Sequence, residues 1–134
     1  MKKALIDTDI ISYFLKDNTT VVRHVENYLN EFEVLNISIV TYYEILNGLM
    51  FKDAKKQLES FKNFAKNCNI INLSPKSVHI SAEIYSNLRR TGQVISHTDV
   101  LIAGIAIVND LTLITNNISH FSRISELNVD NWNK

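Results

Sequence analysis

Short apolar runs alternate with longer stretches of helical periodicity along this whole chain, and that alternation limits it to a parallel α/β design. Lys2 to Ile6 reads as a short buried strand, and Asp9 to about Lys16 follows as a helix with Ile10, Ile11, Phe14 and Leu15 on one face. Thr19 or Thr20 is placed to cap a second helix carrying Val21, Val22, Val25, Tyr28 and Leu29. Val34 to Ile39 is β-rich. Thr41 then opens a helix to about Phe51, and another runs from Ala54 to Lys66. Ile70 to Leu73 is a third strand closed by Ser74-Pro75, and Ser77 to Arg90 is an amphipathic helix ending near Gly92. His97 to Asn109 is apolar nearly all round, which predicts a buried central helix. Leu111 to Thr115 and Leu127 to Asp130 complete the strands. The expected product is one domain over residues 1–134, a three-layer α/β/α sandwich with a short parallel sheet.

Within that pattern the acids stand at telling places. The run Ala4-Leu5-Ile6 ends abruptly in Asp7-Thr8-Asp9, and a carboxylate at the carboxyl end of a parallel strand faces the crevice where ligands bind. Glu44 and Asp99 head later helices. Each acid also has a plain structural reading. Thr41 with Glu44, and Ser96 with Asp99, have the spacing of a capping box, and Asp7 or Asp9 suits a helix start. A cap, however, is satisfied by any Ser, Thr, Asp or Asn. It does not require an acid directly after a buried strand, nor one heading the most apolar helix of the chain. Asp7 and Glu44 are brought to one sheet edge by the topology; Asp99 joins them only if its helix starts at that edge too.

Gathering these acids has an electrostatic cost. Two carboxylates about 5 Å apart repel by roughly 3 kcal/mol at an effective dielectric near 20. Three need a proton or a cation, and hard oxygen donors without cysteine favour Mg²⁺ or Mn²⁺ over zinc. Such a site suits water activation or phosphodiester cleavage.

Four blocks now carry a resemblance. Leu5-Ile6-Asp7-Thr8-Asp9-Ile10-Ile11, Thr41-Tyr42-Tyr43-Glu44-Ile45-Leu46-Asn47-Gly48, Thr98-Asp99-Val100-Leu101-Ile102-Ala103 and Leu113-Ile114-Thr115-Asn116-Asn117 with Phe121 resemble, in order and separation, the blocks of the PIN-domain nucleases. The length is similar to that of the single-domain VapC-type toxins. The resemblance implies a PIN-like fold and a Mg²⁺- or Mn²⁺-dependent endoribonuclease in which Asp7, Glu44 and Asp99 ligate the metal. It gives Asp9 a supporting role and puts Asn117 in the catalytic set through its carbonyl oxygen; Thr115, directly after a strand, is a further supporting candidate. It also implies an RNA substrate, a VapB-type antitoxin lying across the early helices, and a homodimer. The fourth block departs from the family pattern. Many members have an acid where Asn117 stands and another just before the phenylalanine, where this chain has His120. That leaves less negative charge for a second ion.

Two other functional classes compete on sequence. Asp7-Thr8-Asp9 after a strand is also similar to phosphohydrolases with an aspartyl nucleophile, but Ile11 stands where those have Thr or Val. A non-catalytic PIN-like module binding RNA or protein is the other. Thr115 and Ser38 end strands and suit either a turn or a hydrogen bond to a ligating carboxylate. His97 reads as a surface residue beside Asp99. Arg89 and Arg90 suit a helix carboxyl terminus, and Lys52, Lys55, Lys56, Lys62 and Lys66 form either a solvated face or a basic rim for RNA. Fourteen basic residues balance fourteen acidic ones, so there is no chain-wide electrostatic grip on nucleic acid. Cys68 is the single cysteine, excluding an intrachain disulfide. No signal-peptide or membrane-spanning pattern is present, and the expected compartment is the cytoplasm with no membrane association.

Overall fold

Each of the four longer strands is only three residues long, so the sheet depends on burying nearly every strand side chain. A computed structural model describing residues 1–134 shows five parallel strands in the order β3-β2-β1-β4-β5. They are β1 (Ala4–Ile6), β2 (Asn36–Ser38), β3 (Asn69–Ile71), β4 (Thr112–Ile114) and β5 (Val129–Asp130). The helices are α1 (Thr8–Leu15), α2 (Thr19–Phe32), α3 (Ile39–Phe51), α4 (Lys55–Ala65), α5 (Pro75–Arg90), α6 (His97–Val108) and α7 (Ile118–Phe121).

Alternation along the strands divides the interior in two. Leu5 and Leu113 face a core built with α5, α6 and Phe121 of α7. Ala4, Ile6, Ile37 and Ile114 face the other, built with α1, α2, α4 and Trp132. This is the expected α/β/α sandwich. The chain moves outward from β1 through β2 to β3, then crosses back to place β4 on the other side of β1. The order therefore reverses between β1 and β4, and ligands bind at the carboxyl ends of strands at such a switch point.

Several boundaries differ from the sequence expectation for identifiable reasons. Helix α3 starts at Ile39, not Thr41, because the Ser38 hydroxyl caps it by accepting the Thr41 N–H at 2.9 Å. Glu44 is thus one turn inside the helix, and the Thr41–Glu44 capping box that the spacing allowed is absent. Asn18, and neither threonine after it, caps α2. The one reciprocal capping box lies at α5, between Ser74 and Ser77, with Pro75 in the first turn. The four-residue helix α7 was not expected. Tight turns are made largely without glycine: Asp17, Glu33, Asp53 and Asp110 take positive φ of 60°, 69°, 54° and 52° after α1, α2, α3 and α6.

Helix α6 is held very close to α5. The Ser81 hydroxyl is shared between the carbonyl oxygens of Val100 at 2.7 Å and Ser77 at 3.0 Å. Gly104 makes the approach possible, since a Cβ there would stand 2.5 Å from the Ser77 carbonyl oxygen and closer still to the Ser81 hydroxyl. Gly104→Ala is expected to lower unfolding stability by about 1–3 kcal/mol, despite the better helix propensity of alanine. Urea denaturation checks this, and an unchanged or raised midpoint would contradict the packing argument.

Candidate active site

Parallel pairing sets the carboxyl ends of β2, β1 and β4 side by side, and Asp7 follows the middle one. Its N–H continues the ladder to Ile114 O at 2.8 Å. Its carboxylate then turns to cap α1. One oxygen accepts the Thr8 N–H at 2.8 Å and the other accepts the Thr115 hydroxyl at 2.8 Å. Asp7 is 5% exposed, the most buried acid in the chain. Burial, followed by the charge of Asp9, raises its pKa from 3.8 to about 7, although the Thr115 and Thr8 bonds pull downward.

The other acids arrive from three directions. Asp9, in the first turn of α1, accepts Ile10 N–H at 2.8 Å and, with its second oxygen, Asn116 N–H at 3.1 Å. Glu44 reaches in from the second turn of α3 and accepts the Thr8 hydroxyl at 2.7 Å; that hydroxyl also lies 3.0 Å from the Thr41 hydroxyl. Asp99 heads α6, its N–H on the Ser96 cap at 3.2 Å. Burial raises the pKa of both Asp9 and Asp99, and the two acids repel each other; Glu44 pushes Asp99 further up and His120 draws it down. Helix α6 therefore does start at the same edge, within electrostatic reach of the others.

None of these carboxylates has a lysine or arginine partner. The chain's ion pairs are Met1 with Glu31 and His79 with Glu83, both elsewhere. No three His, Cys, Asp or Glu side chains stand close enough together to form a ready-made ion cage. The acids form a loose ring with Thr8 between Asp7 and Glu44. Mg²⁺ commonly keeps several waters and uses one or two carboxylates, so an open ring of hard oxygens suits it in donor type and charge.

The fourth block supplies a scaffold rather than an acid. The Thr115 hydroxyl, which holds Asp7, also accepts Asn117 N–H at 3.0 Å. The Asn117 side-chain amide lies 2.8 Å from His120 Nδ1. Three contributors carried no site role in the sequence reading: Thr8 and Thr41, which link Glu44 to the β1 turn, and Asn116, which holds Asp9. Thr8 could have been suspected from its place between two acids. Asn116 had no local signal, because its partner lies 107 residues away. His97 stacks on Tyr85 with ring centroids 4.4 Å apart, an aromatic contact outside the acid ring. Ser38 is spent as the α3 cap.

Residues 4–127 match the PIN domain family. The chain is a PIN-domain protein. Among its relatives, ribonuclease VapC2 of Rickettsia felis is 32% identical, with 97% of this chain and 98% of that protein covered. The tRNA(fMet)-specific endonuclease VapC of Shigella flexneri is 27% identical over 98% of this chain and 99% of its own length. Among solved structures, VapBC2 of Rickettsia felis bound to a DNA fragment from its promoter superposes with a TM-score of 0.87 at 28% identity, covering 96% of this chain and 98% of that one.

The buried acid gives this PIN domain a pH signature in the absence of metal. Asp7 in the unfolded chain ionises near 3.8 but keeps its proton in the native state up to about 7, so between those values the native state binds more protons. The contribution of Asp7 to stability is then greatest below about pH 4 and is lost as pH rises through that window. The fall amounts to roughly 4 kcal/mol from Asp7 alone. Urea unfolding in EDTA should show the native chain weaker at pH 8 than at pH 5, and Asp7→Asn should remove most of the difference. Equal stability at both pH values would contradict the burial account.

Proposed function

We propose that this PIN domain is a divalent-metal-dependent endoribonuclease that hydrolyses RNA phosphodiester bonds and serves as the toxin of a VapBC-type toxin–antitoxin pair. The observation that carries the reading is the ring of Asp7, Asp9, Glu44 and Asp99 at the sheet's switch point without a basic partner. Such unrelieved charge is costly unless a cation or proton answers it. The ribonuclease names of relatives aligned over nearly the whole chain support cleavage of RNA and weigh against a non-catalytic module.

Asp7, Glu44 and Asp99 would hold Mg²⁺ or Mn²⁺, and when bound the ion supplies charge neutralisation and polarisation of a phosphate oxygen. The chain's own groups do the positioning. Thr115 and Thr8 N–H fix both oxygens of Asp7, and the Thr8 hydroxyl aims Glu44. Asp9 and Asn117 would orient water or substrate beside them. A groove of about 220 Å³ leads away from Thr8 and Glu44 between α1, α3 and α4, with Lys16 and Lys52 in its lining. Its basic residues suit a phosphate backbone, and the same groove is open to a segment of antitoxin lying across the early helices.

The working unit is proposed to be a cytoplasmic homodimer with a VapB-type antitoxin, in keeping with the VapBC assemblies among its structural neighbours. No helix is long and apolar enough to cross a membrane.

Asp7→Asn should lower Mg²⁺-dependent RNA cleavage by more than roughly 100-fold, beyond the usual effect of an outer-sphere change. Single-turnover assays on an RNA panel that includes initiator tRNA would measure it, and retained cleavage would refute the assignment. Expression of the chain alone should arrest growth, relieved by the product of the adjoining gene.

A further inference from the structure

Asp9 is held at its second oxygen by the backbone N–H of Asn116, an exposed residue in the turn after β4. A hydrogen bond at such a place competes with water unless the turn is braced. The brace comes from the carboxyl-terminal segment. Asn131 Nδ2 and Asn133 Nδ2 both donate to the single side-chain oxygen of Asn116, at 3.1 and 3.3 Å. Asn131 in turn accepts Asn133 N–H at 2.8 Å, and Asn133 accepts the side-chain amide of Asn18 at 3.2 Å. Asn18 is already fixed as the cap of α2.

Between the two asparagines lies Trp132, only 6% exposed. Its ring stacks on His24 at 5.9 Å and sits 5.6 Å from the ring of Tyr28. Tyr28 is itself fully buried, and its hydroxyl accepts the Ala4 N–H at 3.0 Å, at the start of the strand that delivers Asp7. Burial of a side chain this large anchors the segment, and pairing of β5 with β4 sets Thr115 N–H on Asp130 O at 2.9 Å. Asn131 and Asn116 are thereby brought level.

We infer that Asn116, Asn131 and Asn133 form a clasp that positions Asp9 in the acid ring, making the anchored carboxyl terminus a working part of the active site. They are positioning residues, acting through Asp9. The inference rests on the nuclease reading for its catalytic consequence but not for its geometry.

Two measurements separate those parts. In amide NMR spectra, Asp9→Ala should move the Asn116 N–H upfield as its carboxylate acceptor is lost. Asn131→Ala with Asn133→Ala should move it the same way, and combining all three should add nothing. Asn116→Ala keeps the N–H and removes only the clasped oxygen, so its residue-116 amide should likewise lose its response to Asp9→Ala. In single-turnover RNA cleavage, the clasp variant should lose about 10-fold, within the range for groups that orient a ligand's neighbours. The loss should shrink below about 2-fold in an Asp9→Ala background. The fluorescence of Trp132, the sole tryptophan, should stay that of a buried ring in every variant. An Asn116 amide that ignores the clasp variant overturns the clasp, whatever happens to cleavage. Equal cleavage losses in both backgrounds overturn its action through Asp9. Absence of cleavage by the native chain refutes the nuclease reading and leaves the amide series to decide the geometry.

Discussion

Asp7 is enclosed between the Thr8 N–H and the Thr115 hydroxyl, 5% exposed, with other carboxylates close enough to push against it and no cation paired with it. Much of the surrounding architecture follows from placing that group there. A parallel sheet is needed to bring the carboxyl ends of three adjacent strands to one edge, and a switch between β1 and β4 is needed to leave a crevice above them. Three helices starting at or near that edge then deliver Asp9, Glu44 and Asp99. The ring is a local conflict with folding, since neutral side chains at the same positions would not repel one another. Such conflicts gather where a protein carries out its chemistry.

Much of this was legible in the chain because two independent patterns agree. Apolar runs such as Ala4-Leu5-Ile6 and Leu113-Ile114 can be buried only in a sheet covered on both faces, and the intervening helical periodicities supply the cover. Acids placed at the junctions between strand and helix then mark one edge. What was not legible depends on partners far apart in sequence. The cap of α3 moved to Ser38 because Thr41 is fully buried against Thr8, where it serves the Glu44 link instead of a helix terminus. Asn116 gave no local sign of holding Asp9. Helix α7 is too short to show a period, and Phe121 alone carries its burial.

The site's supports are distributed along the whole chain. Residue 8 links to residues 41 and 44, residue 115 to 7, residue 116 to 9, and the last residues to 116, 18 and 24. Few of these links are strong alone; a neutral hydrogen bond contributes on the order of 1 kcal/mol and one to a charged group roughly 1.5–3 kcal/mol. Their value lies in geometry, because carboxylates that repel one another will turn toward solvent unless each is held. The turn after β4, where the Asn117 amide meets His120, itself holds two of the acids through Thr115 and Asn116.

The four acidic turn residues at positive φ have a separate implication for how the molecule could be altered. Each occupies backbone space that favours glycine, at a strain on the order of 1 kcal/mol for a side chain with a Cβ. Asp17, Glu33, Asp53 and Asp110 supply no carboxylate to the ring of acids. Glycine at such a turn would relieve that strain but add freedom to the unfolded chain, so the two effects oppose each other. These turns are therefore places where the backbone can be altered without disturbing the acids gathered at the sheet edge.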